Sequence, residues 1–340
     1  TGSTRGRYKH MSKKKVLITG ASGFVGYHLI EEALKANLEV YAAVRPGSEV
    51  SHLSEFKINY VNLNYGDVQQ LKASLEEQQY NYIIHAAGTT KAKTEADYNR
   101  VNADYTRNLA IAALESNINL EKSVFGSSLA ALGPLKDLSS KIQDNSPPHP
   151  VTNYGASKML AEQYLSELKT LPLVIIRPTA VYGPREKDLF ILFNSINKGL
   201  EPHIGRFTQQ LSFVYVKDLV KVIVRALTIP VVHQPYNISG GLGYDRYALA
   251  SYTKKALNRK TFKFHLPVAL VGLLASTMDF IYANSKNTPT LNKEKMAELT
   301  AINWACSINK ANADLDYSPE YNLEQGVMQT IKWYKLKNWL

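Results

Sequence analysis

The stretch Val16-Leu17-Ile18-Thr19-Gly20-Ala21-Ser22-Gly23-Phe24-Val25-Gly26 limits what this chain can fold into more than any other. A short apolar run enters glycines spaced three apart, and an amphipathic run from Tyr27 to Ala36 follows. That is the pattern of a buried strand, a tight turn and a helix that begins at the turn. Gly20 allows the bend, Gly23 lets backbone approach a ligand, and Gly26 lets the helix pack close on the strand. The free N–H groups where the helix starts, around Ser22, Phe24 and Val25, make an anion site that a dinucleotide's pyrophosphate fits. Alone, the glycine pattern also describes a turn with no ligand. The rest of the chain has to decide.

The 340 residues suffice for one large or two modest domains, and a charged content of 20% is that of an ordinary globular protein. Residues 1–10 carry no apolar pattern and precede Met11; they are read as a vector-derived leader and set aside. Without Arg5, Arg7 and Lys9 the formal charge falls from +11 to +8. The excess is spread without a dense basic run, which argues against a nucleic-acid partner. Cys306 is the single cysteine, so a disulfide framework and a cysteine zinc site are both excluded within one chain; no metal is expected, and a reducing, cytoplasmic setting is. The apolar run Leu266 to Tyr282 is broken by Pro267, Ser276, Thr277 and Asp279, and is too short and polar to span a bilayer. A helix lining a pocket and a helix lying on a membrane surface both fit it.

Strands are expected at Leu38–Val44, Tyr60–Leu63, Tyr82–Gly88 and Ser123–Ser128, with helices between them. The first of these ends Ala43-Val44-Arg45-Pro46 with no acid. Arg45 stands where a guanidinium could fork onto the extra phosphate of NADP, or simply be a surface arginine; NADP is favoured, with NAD the alternative. Asp67, before Val68, reads as a helix cap, an adenine contact, or both. Ala86, Ala87 and Gly88 are small enough for a cofactor to lie across the strand end. His85, flanked by apolar residues, reads as a packed, satisfied histidine rather than a catalytic one. One long helix is expected over 95–116, with Asn102 either holding backbone near a site or facing solvent.

Tyr154 and Lys158 are four apart, on one face of an expected helix. A nearby ammonium favours the phenolate and lowers a tyrosine's pKa. Facing a strand-end serine, the pair would transfer protons; by itself it also fits an ordinary aromatic–cation contact.

In order and spacing, Gly20-x-x-Gly23-x-x-Gly26, Gly66-Asp67-Val68, His85-Ala86-Ala87-Gly88, Ser127-Ser128, Tyr154-x-x-x-Lys158 and Arg177-Pro178-Thr179-Ala180-Val181-Tyr182-Gly183-Pro184 closely resemble the extended short-chain dehydrogenase/reductase family, also called NAD-dependent epimerase/dehydratases. The resemblance is strong from Lys14 to about Leu227 and weaker beyond. It implies an α/β fold: a doubly wound parallel Rossmann sheet over 11–180, and over 181–340 a smaller mixed substrate-binding region, part of which (about 211–238) returns to the core. It implies roles for Ser128 as the catalytic hydroxyl, Tyr154 as the acid–base group, Lys158 as the lysine that binds the nicotinamide ribose, and Pro178 to Val181 as the turn at the nicotinamide. It also allows a homodimer through the helices near 95–116 and 153–170.

Departures from the family pattern narrow the reaction. The family's dehydratases place Asp-Glu after the catalytic hydroxyl; here stand Leu129 and Ala130, which move no proton. Its nucleotide-sugar epimerases carry Asn where Thr179 stands and Arg where Leu211 stands, and only Arg185 or Arg206 could replace that clamp. The chain looks more like the dihydroflavonol reductase-like and hydroxysteroid dehydrogenase-like branch. The expectation is an alcohol/ketone oxidoreductase on a small apolar substrate, with Pro267, Val268, Leu270, Leu273, Leu274 and Phe280 as a pocket wall, a core helix or a dimer helix. A nucleotide-sugar epimerase with tightly bound NAD and a cofactor-binding scaffold are the alternatives.

Overall fold

The computed structural model describes residues 12–340, so the leader expected over 1–10 lies outside the described residues. The strands are β1 (Lys15–Thr19), β2 (Glu39–Ala43), β3 (Asn59–Val61), β4 (Tyr82–His85), β5 (Lys122–Gly126), β6 (Leu173–Pro178), β7 (Ala180–Tyr182), β8 (Leu200–Ile204), β9 (Phe213–Tyr215), β10 (Gln234–Ile238) and β11 (Phe262–Leu266). The helices are α1 (Phe24–Lys35), α2 (Val68–Gln78), α3 (Glu95–Asn99), α4 (Tyr105–Glu115), α5 (Asn153–Ser166) and α6 (Phe190–Asn197). Beyond them lie α7 (Val216–Ala226), α8 (Ala248–Leu257), α9 (Val268–Ile281), α10 (Lys293–Thr300), α11 (Asn309–Leu315) and α12 (Leu323–Leu336).

Strands and helices alternate because apolar runs too short for helices are joined by amphipathic ones, which forces parallel pairing. The result is a seven-stranded parallel sheet in the order β10-β6-β5-β4-β1-β2-β3. Its interior strands read as near-continuous apolar runs, since both faces are covered. One face packs on α1, α7 and α11, around Val16, Ile18, Leu29 and Val220. The other packs on α2, α4 and α5, around Leu17, Ile83, Leu109 and Leu165. This is the Rossmann-like α/β architecture expected. The strand order reverses between β1 and β4, and the carboxyl ends of those two strands open the crevice where such sheets bind ligands.

The rest of the chain sits over that edge. Two small parallel sheets, β8 with β11 and β7 with β9, stand beside α6, α8 and α12, whose shared core includes Phe193, Tyr215, Leu249, Ile331 and Tyr334. No helix among the described residues is long and apolar enough to cross a membrane.

One expected element divides in two. The helix over 95–116 is broken into α3 and α4 by a wider π-turn at Arg100–Asp104. Such turns cluster at functional sites, and this one points Asn102, fully buried, at the crevice edge.

Candidate functional site

The glycine bend has the geometry its spacing demands. Gly20 has φ +67°, a region that disfavours any β-carbon, and one there would also lie 2.7 Å from the Ala86 carbonyl oxygen. A β-carbon on Gly26 would lie 2.2 Å from the Gly20 oxygen, so α1 can only pack here without a side chain. Gly23 begins α1 with no side chain capping the helix, which leaves the first amides unclaimed by any cap. Phe24 and Val25 pack their side chains on the core, and the Ser22 carbonyl accepts from His52 Nε2 at 3.0 Å, which fixes the turn.

The β1–β4 crevice is tied by a buried polar chain. Ala87 N–H donates to Thr19 Oγ1 at 3.0 Å, and that hydroxyl lies 2.7 Å from His85 Nδ1. His85 Nε2 lies 2.9 Å from Thr106 Oγ1, whose own proton goes to Asn102 O at 2.8 Å. Thr106 therefore accepts from Nε2–H, and Nδ1 accepts from Thr19. His85 is a satisfied core histidine that fixes the strand end, as its apolar setting in the sequence indicates.

Burial, with the Lys158 charge added, pushes His85 down to about 3 from 6.5. The unfolded chain therefore takes this proton first as pH falls. The stability that neutral His85 confers is complete above 6.5 and is lost progressively towards about 3. His28, held down to about 4 by burial, acts in the same direction. Urea midpoints measured stepwise from neutral to acid pH are expected to fall across that window; a flat profile would contradict the assignment.

Asn102 joins the cofactor edge to α5. Its Oδ1 accepts from Thr89 N at 2.7 Å, and its Nδ2 donates to Thr89 O and to Ser157 Oγ, both at 2.9 Å. A β-carbon on Gly88 would meet Asn102 Oδ1 at 3.0 Å and Lys158 Nζ at 3.2 Å. Asn102 thus holds backbone at the site rather than facing solvent.

The two serines after β5 separate by role. Ser127 Oγ donates to Glu162 Oε1 at 2.5 Å, and Glu162 is paired with Arg177 through a two-pronged contact of 2.6 to 3.2 Å. Arg177 also donates to Asp144 O at 2.8 Å, which pins the 133–151 loop to the sheet. Ser128 is partly exposed; its Oγ accepts from Ala130 N at 3.1 Å, and its hydroxyl acts to lower the pKa of the Tyr154 phenol.

Tyr154 and Lys158 project from α5, whose start is capped by Thr152 Oγ1 accepting from Gly155 N at 2.9 Å. A second cap comes from far away in the chain. Glu294 of α10 accepts from Asn153 N at 2.9 Å and from Tyr154 N at 3.2 Å, a carboxylate placed at a helix N-terminus.

The electrostatics differ from the sequence expectation. Burial pushes the Tyr154 phenol up to about 12, helped by Glu298 and Tyr98, and the Ser128 hydroxyl is what pulls it down. Lys158 does not lower it: its ammonium donates to Gly126 O at 3.1 Å and lies 5.2 Å above the Phe125 ring. Burial in turn brings Lys158 down to about 8, against an opposing pull from Glu162.

The remaining expected contacts spread along the same edge. Asp67 caps α2, accepting from Gln70 N at 3.0 Å, with Val68 beginning the helix. Arg45 is exposed past the end of β2, with no carboxylate partner among the described residues. Pro178 ends β6 and Val181 lies in β7, packed against the core. Thr179, however, turns into the protein: its Oγ1 lies 2.8 Å from Ser212 Oγ and donates to Ser212 O at 3.1 Å, while Ser212 Oγ donates to Trp304 O at 2.6 Å. Leu270, Leu273, Leu274 and Phe280 are all exposed.

Glu294, Thr89, Ser157 and the Thr19–His85–Thr106 chain escaped the sequence reading. Thr152-x-x-Gly155 before the amphipathic run was a legible cap; Glu294, 140 residues away from Tyr154, left no local signal.

A profile of the NAD dependent epimerase/dehydratase family matches residues 16–239. The chain is 28% identical over 331 residues to a UDP-glucose 4-epimerase of Vibrio cholerae, covering 94% of this chain and 95% of that protein. It is 25% identical over 335 residues to a ceramide reductase of Caulobacter vibrioides, covering 96% of each. The structure of a UDP-glucuronic acid 4-epimerase from Bacillus cereus in complex with NAD superposes with TM-score 0.75 at 22% identity, over 95% of this chain and 99% of that one.

Proposed function

This chain belongs to the NAD-dependent epimerase/dehydratase family, and from that premise we propose that it is an NAD(P)-dependent oxidoreductase interconverting a secondary alcohol and a ketone on a small apolar substrate. The site's residues fit a nicotinamide dinucleotide: an uncapped helix start, a Gly20 bend closed against Ala86, and a Gly88 whose missing side chain leaves room beside Asn102 and Lys158. Gly20, Ser22, Gly23, Phe24, Val25 and Gly26 would hold its pyrophosphate. Asp67 and Val68 would meet the adenine, Ala86 to Gly88 and Asn102 would bound its path, and Lys158 would hold the nicotinamide ribose with Pro178 and Val181 at the ring. When bound, the dinucleotide supplies or accepts a hydride.

The chain's own residues do the rest. In reduction, Ser128 Oγ–H donates to the substrate carbonyl oxygen, and Tyr154 gives it a proton as charge develops there. In oxidation, Tyr154 takes that proton back. Asn102 and Glu294 hold the start of α5, so the phenol cannot drift from Ser128.

The observation that carries this reading over sugar-nucleotide epimerisation is Thr179. Its hydroxyl is spent on Ser212 inside the protein, where the resemblance would have an amide reach for substrate. Two further residues agree. Leu211 packs in the apolar cluster with Phe213 and Tyr244, and Arg185 lies stacked 3.8 Å over the Tyr27 ring and 5.2 Å over Trp333. The test is a screen of steroid and aromatic ketones against UDP- and dTDP-sugars with NADP(H) and NAD(H). Net change in nicotinamide absorbance with a ketone supports the proposal; inversion of a sugar without such change overturns it.

NADP is the proposed cofactor because Arg45 is exposed and free of carboxylates where the second ribose would lie. Arg45→Ala is expected to weaken NADPH by about 10-fold or more, the worth of a charge-assisted contact, and to leave NADH unchanged. Equal loss for both would contradict it. We extend the proposal to a cytoplasmic homodimer pairing through α4 and α5, which the elution volume on gel filtration tests.

A further inference from the structure

The helix α9 is apolar on both its inward and its outward face. Val271 and Ala275 face inward onto Ile204, Leu266 and Met296. The outward face carries Leu270, Leu273, Leu274, Phe280 and Ile281, from 53% to 83% exposed. These residues fall at the spacings of one helical stripe. Thr277 lies among them, but its hydroxyl donates to Leu273 O at 2.8 Å, and neighbouring Ser276 donates to Gly272 O at 3.0 Å. The outward face therefore presents carbon and few unmet donors. Contiguous apolar surface of this kind marks a contact site rather than ordinary exposure.

The charge around it selects the partner. Residues 258–293 hold Arg259, Lys260, Lys263, Lys286 and Lys293 against a single acid, Asp279. Asp279 is occupied, accepting from Lys293 N at 3.1 Å. Lys263, Lys286 and Lys293 are exposed and have no carboxylate partner among the described residues. Lys93 closes the far end of the helix by donating to Tyr282 O at 3.0 Å and Ala283 O at 3.1 Å. A second copy would bring like charges together around the stripe; an anionic lipid surface would complement them.

We propose that α9 is a membrane-seating helix, which lies in the plane of an anionic bilayer with its leucine and phenylalanine stripe among the acyl chains and its flanking lysines at the phosphates. The seat stands on this surface alone, whatever the reaction. It also orients the site: α9 is tied through Asp279 to α10, and α10 through Glu294 to the backbone of Tyr154. The mouth beside Tyr154 then opens near the bilayer, where an apolar alcohol or ketone dissolves. That last step rests on the oxidoreductase reading and is tested separately from it.

The experiment is co-sedimentation of the purified chain with vesicles of phosphatidylcholine alone, and of phosphatidylcholine with phosphatidylglycerol, with no substrate or cofactor present. The wild type is expected to pellet with the anionic vesicles and to be partly released by salt. Leu273→Glu with Phe280→Glu is expected to lower partitioning by about 100-fold, roughly tenfold for each buried apolar side chain lost. Its Tm and dinucleotide affinity should be unchanged, because both side chains are exposed. Lys286→Glu with Lys293→Glu should abolish the preference for anionic vesicles. Three results would overturn the seat: wild type left in the supernatant with every vesicle, equal binding to both compositions, or a wild-type oligomer that the Leu273/Phe280 variant turns to monomer. Failure here would leave ketone reduction in solution untouched, and failure of that reaction would leave vesicle binding untouched.

Discussion

Tyr154→Phe is expected to cut kcat by about 10²–10⁴-fold, the contribution of a positioned acid–base group, while dinucleotide affinity and Tm stay at wild-type values. The phenol oxygen is the only heavy atom removed, and Ser128 keeps its contact with the Ala130 amide. The ring stays packed beside Tyr98 at 6.5 Å. The pH profile gives a second readout. With its phenol pushed up to about 12, Tyr154 is protonated throughout the neutral range, ready as an acid for reduction. Oxidation needs the phenolate and should accelerate as pH rises. Dinucleotide affinity should decline through about 8, where buried Lys158, which would hold the nicotinamide ribose, gives up its proton. Unchanged turnover in the phenylalanine variant would mean that the site does no proton transfer at this residue, and a scaffold role would gain.

Gly26→Ala is the second large effect, and it acts on binding rather than chemistry. The new methyl would lie 2.2 Å from Gly20 O and 2.7 Å from Ala21 backbone atoms, none of which can rotate away. Either α1 lifts off β1 or the bend opens; both move the amides that face the anion. Loss of two charge-assisted contacts predicts dinucleotide affinity lower by about 100-fold or more, and overpacking of this kind costs about 1–3 kcal/mol of stability. Gly272→Ala is the control: nothing lies near its β-carbon position, and α9 gains a better helix former. Isothermal titration with NADPH and thermal melts of both variants separate the effects. An alanine at 26 that binds dinucleotide normally would remove the physical basis for reading the glycine spacing as a cradle.

Much of this was legible because the signals are local. The Gly20–Gly26 spacing, the apolar strands and the four-residue interval from Tyr154 to Lys158 each depend on a few neighbours in sequence. Asn102 was ambiguous because nothing between Glu95 and Ser116, neither glycine nor proline, announces a π-turn. It forms where Asn102 can reach both Thr89 and Ser157, contacts 13 and 55 residues away. Lys158 was misjudged in its effect on Tyr154, since spacing places two side chains on one face but does not show that the Gly126 carbonyl claims the ammonium. Arg177 stands next to the expected nicotinamide turn, Pro178 to Val181, but sequence alone gives its side chain no partner; its guanidinium serves the buried pair with Glu162. The stripe on α9 was visible as an apolar run, but only packing tells which face is left bare.

The central claim is that Ser128, Tyr154 and Lys158 form a redox site beside a dinucleotide cradle. Its most direct test is a single-turnover mixing of the chain with deuterium-labelled NADPH and an apolar ketone. Net loss of reduced-nicotinamide absorbance is expected, with the label recovered on the carbinol carbon of the alcohol and no transfer in Tyr154→Phe. A wild-type chain that binds neither NADPH nor NADH, or that inverts a nucleotide sugar with no net nicotinamide change, would contradict it.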